Sequence, residues 1–178
     1  MVVAGLGQAF SIAAPWNGQP QWWLQMLTLG VLAWQLEQLR ATPEGARRPW
    51  RRGAMAAWLF ATAWLCGATW WLFISMHTYG GLPAPLAAIA TFALSAALSL
   101  YYALAGALQI AWAPRRAAGR ALLFAALWLL AELLRNTWFT GFPWGAGGYA
   151  HLDGPLMGFA RDVGVYGIGG PWAFILAL

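Results

Sequence analysis

Long apolar runs recur along this chain and leave too little sequence between them to enclose a water-soluble core. The runs are 2–14, 22–39, 54–76, 85–112, 120–138 and 163–178. A helix rises 1.5 Å per residue, so crossing the bilayer hydrocarbon takes about 20 mostly apolar residues. The first run is short and the last slightly under a span, whereas 85–112 exceeds one and is expected to tilt or project. Only 8% of the residues are charged and 61% are hydrophobic, against about 25% charged in an average soluble domain. Too few polar side chains remain to cover a globule's surface. Disorder is excluded on the same ground, because it requires low hydrophobicity and high charge. Backbone polar groups in lipid must be satisfied internally, and no segment alternates apolar with polar residues as a barrel strand does. The expected fold is therefore all-α, a polytopic transmembrane bundle of about six helices.

Charge placement gives this bundle an orientation. All ten basic residues are Arg, against five acidic ones. Arg40, Arg47, Arg48, Arg51 and Arg52 fall between the second and third runs, and Arg115, Arg116 and Arg120 between the fourth and fifth. The segment 77–84 has none. The excess of Arg in cytoplasmic loops puts both clusters in the cytoplasm. The N-terminus is then cytoplasmic as well, and segments 77–84 and 136–161 lie together on the outer, periplasmic side. Short basic loops between apolar helices read as this topology signal; nucleic acid is not an expected partner. No leading basic segment or cleavage pattern marks a signal peptide. Fourteen Trp include Trp16, Trp22, Trp23, Trp70, Trp71, Trp112, Trp138 and Trp144 near the ends of runs. There, an apolar ring and a polar N–H suit the membrane interface. Cys66 is the single cysteine, inside an apolar run; it reads as a small hydrophobe and excludes an internal disulfide.

Two outward segments concentrate the chemistry. Trp70 to Pro83 carries His77 before Gly80-Gly81. His77 reads as an interfacial residue closing a helix end; a proton shuttle or a contact to a lipid headgroup is the alternative. Thr137-Trp138-Phe139-Thr140-Gly141-Phe142-Pro143-Trp144-Gly145 is aromatic, turn-rich and uncharged. Such a loop belongs in the interface or under another domain, as an entrance for acyl chains or as a re-entrant structural loop. Glu132 and Arg135, at i and i+3, share a helix face and read as a structural pair near the outer end, where intramembrane charge costs least. His151 and Asp153 have no Ser or Cys nearby and make a poor nucleophilic site. No cluster has metal-ligand spacing and no Gly-rich phosphate loop is present, so neither a metal nor a cofactor is expected.

The blocks Trp70–Pro83 and Glu132-Leu133-Leu134-Arg135 through Thr140-Gly141-Phe142-Pro143-Trp144, followed by Gly148-Tyr149-Ala150, Gly154-Pro155-Leu156 and Gly164-Val165-Tyr166-Gly167, resemble the membrane part of bacterial apolipoprotein N-acyltransferases. Gln8-Ala9-Phe10-Ser11 resembles the first helix of that family more loosely. The resemblance covers essentially the whole chain, so residues 1–178 read as one N-terminal transmembrane domain. It implies an enzyme of the bacterial inner membrane that acts in lipoprotein biosynthesis. The Arg-rich, Lys-free, Ala- and Trp-heavy composition looks like that of a Gram-negative bacterium.

In this family a nitrilase-like domain outside the inner membrane takes an acyl chain from a phospholipid onto a Cys. It then passes the chain to the α-amino group of an apolipoprotein's diacylglyceryl-cysteine, using a Glu–Lys–Cys triad. The chain departs from that pattern: it has no Lys, and its one Cys lies within an apolar run. No residue here is expected to be catalytic. The resemblance implies that the nitrilase-like domain is missing from these residues and that the chain alone is inactive. It also implies a supporting role, with Trp71, His77, Thr140, Phe142, Trp144 and Tyr149 near the junction where lipid enters or the catalytic domain docks. The alternative is a stand-alone membrane module that binds lipid or a separately encoded partner. A small transporter is disfavoured, because polar groups within the runs are few and no internal repeat is present.

Overall fold

The computed structural model describes residues 1–41, 48–155, 157–162 and 164–168, and among them the regular structure is entirely helical. Arg47, Leu156, Val163 and the part of the last run from 169 onward lie outside the described residues. The main helices are α1 (Val2–Ile12), α2 (Trp22–Arg40), α3 (Pro49–Ala68), α4 (Trp71–Ile74, continued by a π-turn over Ser75–Tyr79), α5 (Ala84–Leu98), α6 (Leu100–Ala111) and α7 (Ala117–Thr137). Residues 160–162 and 164–168 are also helical. Two stretches, Ala84–Ala111 and Ala117–Thr140, are long and apolar enough to cross a membrane; a third is added if α3 and Trp71–Tyr79 count as one bent span.

The helix boundaries follow local chemistry. Pro49 opens α3 at a position where a missing N–H costs nothing. The turn after α1 is stitched by the Gln21 N–H to the Ser11 carbonyl at 2.7 Å and the Ala14 N–H to the Gln19 carbonyl at 3.0 Å. These bonds return the chain antiparallel into α2.

Two expected spans differ in detail. The run 54–76 is not one straight helix: its two parts meet at 51°. The Thr69 N–H and hydroxyl both donate to the Leu65 carbonyl, at 2.9 and 2.7 Å, which closes α3. The chain restarts through tighter i→i+3 bonds, Leu72 N–H to Thr69 and Phe73 N–H to Trp70. The run 85–112 is interrupted at Ser99. Thr91, Ser95 and Ser99 each turn their hydroxyl back onto the carbonyl four residues earlier, a pattern that bends helices. The Trp58 indole N–H of α3 donates to the Ala96 carbonyl at 3.0 Å beside this interruption.

α3 is the hub of the bundle, packed against α1, α2, α5 and α6. It crosses α6 closely, where a Cβ on Gly53 would lie 2.6 Å from the Gly106 carbonyl oxygen and a Cβ on Gly106 equally close to that of Gly53. Only glycine at both positions permits this backbone approach, and in lipid such close packing replaces the hydrophobic drive. Below it lies an aromatic core. Trp64 stacks on Trp128 at 5.6 Å, with Tyr102 edge-on to Trp64 at 5.4 Å and Phe60 edge-on to Trp128 at 6.2 Å. Each such pair adds about 0.5–1.5 kcal/mol beyond area burial. Large apolar side chains such as Val3, Ile89, Phe92, Leu104 and Leu122 point outward, as lipid-facing surfaces require. At the Arg-rich end, Glu37 pairs with Arg40 at 3.1 Å and with Arg120 at 3.0 Å, tying α2 to α7.

Candidate functional site: a polar clamp beneath an aromatic loop

The end of the bundle opposite the Arg clusters contains a group of buried polar side chains. Gln8 of α1, Gln25 and Thr28 of α2, and Glu132 and Arg135 of α7 are all essentially inaccessible. Helical periodicity brings Gln25 and Thr28 to one face of α2, and Glu132 and Arg135 to one face of α7. The Thr28 hydroxyl donates to Gln8 Oε1 at 2.6 Å. Glu132 and Arg135 do not form the expected pair: among the described residues they make no direct ion pair. Each binds the backbone of the following loop.

Glu132 Oε1 accepts the Gly147 N–H at 3.0 Å, while Gln25 Nε2 donates to the Gly147 carbonyl at 2.7 Å. Both faces of one residue's backbone are therefore held, from α7 and from α2. A Cβ at position 147 would lie 2.7 Å from Gln25 Nε2 and 3.2 Å from Glu132 Oε1, so the clamp requires glycine. Arg135 holds the preceding turn. Its Nη1 donates to the Phe142 and Trp144 carbonyls, each at 2.7 Å, and its Nε to the Tyr102 hydroxyl at 3.1 Å. The guanidinium lies 5.8 Å from the centre of the Trp64 ring, a cation–π contact joining the clamp to the aromatic core. In return the Phe142 N–H donates to the Arg135 carbonyl at 2.8 Å.

The clamped loop is strained. Phe139, Thr140 and Gly141 have φ of 51°, 76° and 77°, and left-handed backbone costs non-glycine residues about 1–2 kcal/mol each. Such a conformation persists where surrounding contacts over-determine it, and the Arg135 bonds supply those contacts. The Phe139 ring projects from the loop, 89% exposed.

The six residues singled out from the sequence fall into separate local sets. Thr140 and Phe142 line a groove of about 590 Å³ with Leu94, Leu98, Tyr101 and Leu104. Trp71 meets Trp144 edge to face at 5.5 Å, and the two border a cavity of about 300 Å³ against α1. Tyr149 borders a small hollow of about 100 Å³ that also contains His151. Burial pushes the His151 imidazole down to about 4. His77 stands apart on the π-turn. Its Nδ1 lies 2.8 Å from the Leu82 carbonyl and its ring 5.5 Å from that of Phe73. Gln25, Thr28, Tyr102 and Gly147 were not anticipated in a site. Their available signal was a glutamine within an otherwise apolar run and a glycine just beyond an aromatic loop.

Comparison with known proteins identifies the family. Residues 5–178 match the family model described as the apolipoprotein N-acyltransferase N-terminal domain. The chain is 56% identical over 99% of its length to an apolipoprotein N-acyltransferase of Verminephrobacter eiseniae, covering 32% of that protein. It is 46% identical over 83% of its length to one of Ralstonia nicotianae, covering 27% of it. It is 41% identical over 88% of its length to one of Pseudomonas putida, covering 29% of it. The chain thus spans about a third or less of the curated relatives it matches, and it belongs to the apolipoprotein N-acyltransferase family.

Proposed function

We propose that residues 1–178 form the membrane domain of an enzyme that moves an acyl chain from a phospholipid to the α-amino group of an apolipoprotein's N-terminal diacylglyceryl-cysteine. The transfer chemistry belongs to a nitrilase-like domain outside these residues, and this chain supplies the platform beneath it. The observation that carries the reading is the clamp. Buried Glu132, Arg135 and Gln25 fix an uncharged aromatic loop in a strained shape at one end of the bundle. Apolar hollows open on its flanks, where acyl chains can approach without meeting water. Trp71, Thr140, Phe142, Trp144 and Tyr149 are assigned to lipid access or to docking of the catalytic domain, and His77 to the same outer surface.

In this reading the protein sits in the inner membrane of a Gram-negative bacterium, with its N-terminus cytoplasmic and segments 77–84 and 136–161 periplasmic. The Arg distribution supports that orientation. Cys66, half-buried in α3, is not the acyl carrier. The test compares the intact acyltransferase containing this chain with the chain alone, both in proteoliposomes, for transfer from phospholipid to a diacylated lipopeptide. Transfer by the intact enzyme only is expected. Transfer by the chain alone, or none by either, overturns the proposal. Orientation is read separately by membrane-impermeant maleimide labelling of T140C and R116C, with T140C expected to label from the periplasm.

A further inference from the structure

A second lateral groove lies at the opposite end of the bundle from the clamp. It has a volume of about 400 Å³ and is lined by Arg51, Met55 and Trp58 of α3 and Leu100 and Ala103 of α6. Arg51, Met55 and Trp58 stand at i, i+4 and i+7 and so share one face of α3. From Arg51 to Trp58 the groove follows α3 for about 10 Å, most of the roughly 15 Å depth of one leaflet's hydrocarbon. It is apolar along this length and cationic at one end. The α6 wall belongs to a stretch long and apolar enough to cross a membrane, and the α3 wall to the bent stretch that counts as a third, so its occupant comes from the lipid phase.

The cationic end has no anionic counterpart among the described residues. Among the described residues, Arg51 has no carboxylate within ion-pair distance, and Glu37 is engaged by Arg40 and Arg120. The Arg51 guanidinium rests over the Trp50 ring at 5.3 Å. Arg48 and Arg52 flank it, and the positive end of the α3 helix dipole lies at the same place. Exposed Trp50 and Trp112 occupy this end of α3 and α6, which puts Arg51 at headgroup level.

We propose that this groove binds an anionic phospholipid, its phosphate on Arg51 and one acyl chain along Met55, Trp58, Leu100 and Ala103. Given the orientation stated above, the lipid comes from the cytoplasmic leaflet, so the site is separate from the acyl-donor side. Binding seats the lipid between α3 and α6, where Trp58 also holds the interrupted α5–α6 helix through the Ala96 carbonyl.

The test uses the intact acyltransferase in detergent and native mass spectrometry with added phosphatidylglycerol or phosphatidylcholine of matched chains. One phosphatidylglycerol retained in preference to phosphatidylcholine is expected. R51Q should lower that retention about fivefold, from a basic side chain's worth of attraction to an anionic headgroup. A103W should lower it by filling the acyl groove while Arg51 remains. R52Q, changed outside the groove, should retain more lipid than R51Q. Equal retention of both lipids, or retention by R51Q and A103W matching the unaltered protein, overturns the proposal. Binding in detergent does not depend on which way the protein faces in the membrane, so a failure here is distinct from a failure of the topology.

Discussion

Replacing Arg135 with Ala isolates the clamp's contribution to loop structure. The guanidinium makes three side-chain hydrogen bonds, to the Phe142 and Trp144 carbonyls and the Tyr102 hydroxyl. A bond involving a charged group contributes about 1.5–3 kcal/mol. Trp144 is surface-exposed and Phe142 half-buried, so water partly replaces two of the lost donors and the low end applies to them. The sum is about 4.5–6 kcal/mol. The left-handed backbone at Phe139 and Thr140 relaxes once the latch is gone, which favours opening further. The Phe142 N–H bonds the Arg135 carbonyl and reports this opening directly. Hydrogen exchange over 141–147 in the intact protein should accelerate at least a thousandfold in R135A, the factor that about 4.5 kcal/mol implies. R135K keeps the charge but loses the planar fork that spans two carbonyls, and its exchange should fall between the two. Protection in R135A equal to that of the unaltered protein would refute the clamp.

Further predictions concern the same end of the bundle. Gly147→Ala places a methyl 2.7 Å from Gln25 Nε2 and should expel that side chain, lowering stability by about 1–3 kcal/mol; thermal melting in detergent checks this. Part of that loss should disappear in a Gln25→Ala background, where only Glu132 Oε1, at 3.2 Å, still crowds the methyl. His151 is held neutral by burial, with its value depressed from 6.5 to about 4. The unfolded chain then binds the proton more readily than the folded one. The stability that depends on neutral His151 should be fully present above about pH 6.5 and should fall as pH drops toward 4. His151→Phe should flatten that part of the stability profile measured by denaturant titration.

The sequence alone revealed most of the helices because lipid imposes one demand on every span. Runs of apolar residues marked α1, α2 and α7 to within a few residues of their ends. The interruptions were less visible. Thr91, Ser95 and Ser99 are ordinary small residues in an apolar run, and their effect depends on three hydroxyls turning back onto the helix. Thr69 closes α3 in the same way. Glu132 and Arg135 were legible as two charges on one face. Their actual partners were not, because Gly147 and the Phe142 and Trp144 carbonyls offer only backbone atoms, which leave no trace in side-chain chemistry. Gln25 meets Gly147 across 122 positions, a contact no local pattern encodes. Trp71 and Trp144 were expected near one junction and do touch, whereas His77 is occupied by its own turn.

The central claim is that the aromatic loop held by this clamp serves acyl transfer. Its most direct test is the transfer rate of the intact enzyme carrying Phe142→Ala together with Trp144→Ala. Both residues bind Arg135 through backbone carbonyls, so truncating their side chains leaves the clamp's hydrogen bonds in place. A fall of about ten- to a hundredfold, as misplaced substrate produces, with protein level and melting temperature retained, is the expected result. An unchanged transfer rate at unchanged protein level would contradict the account.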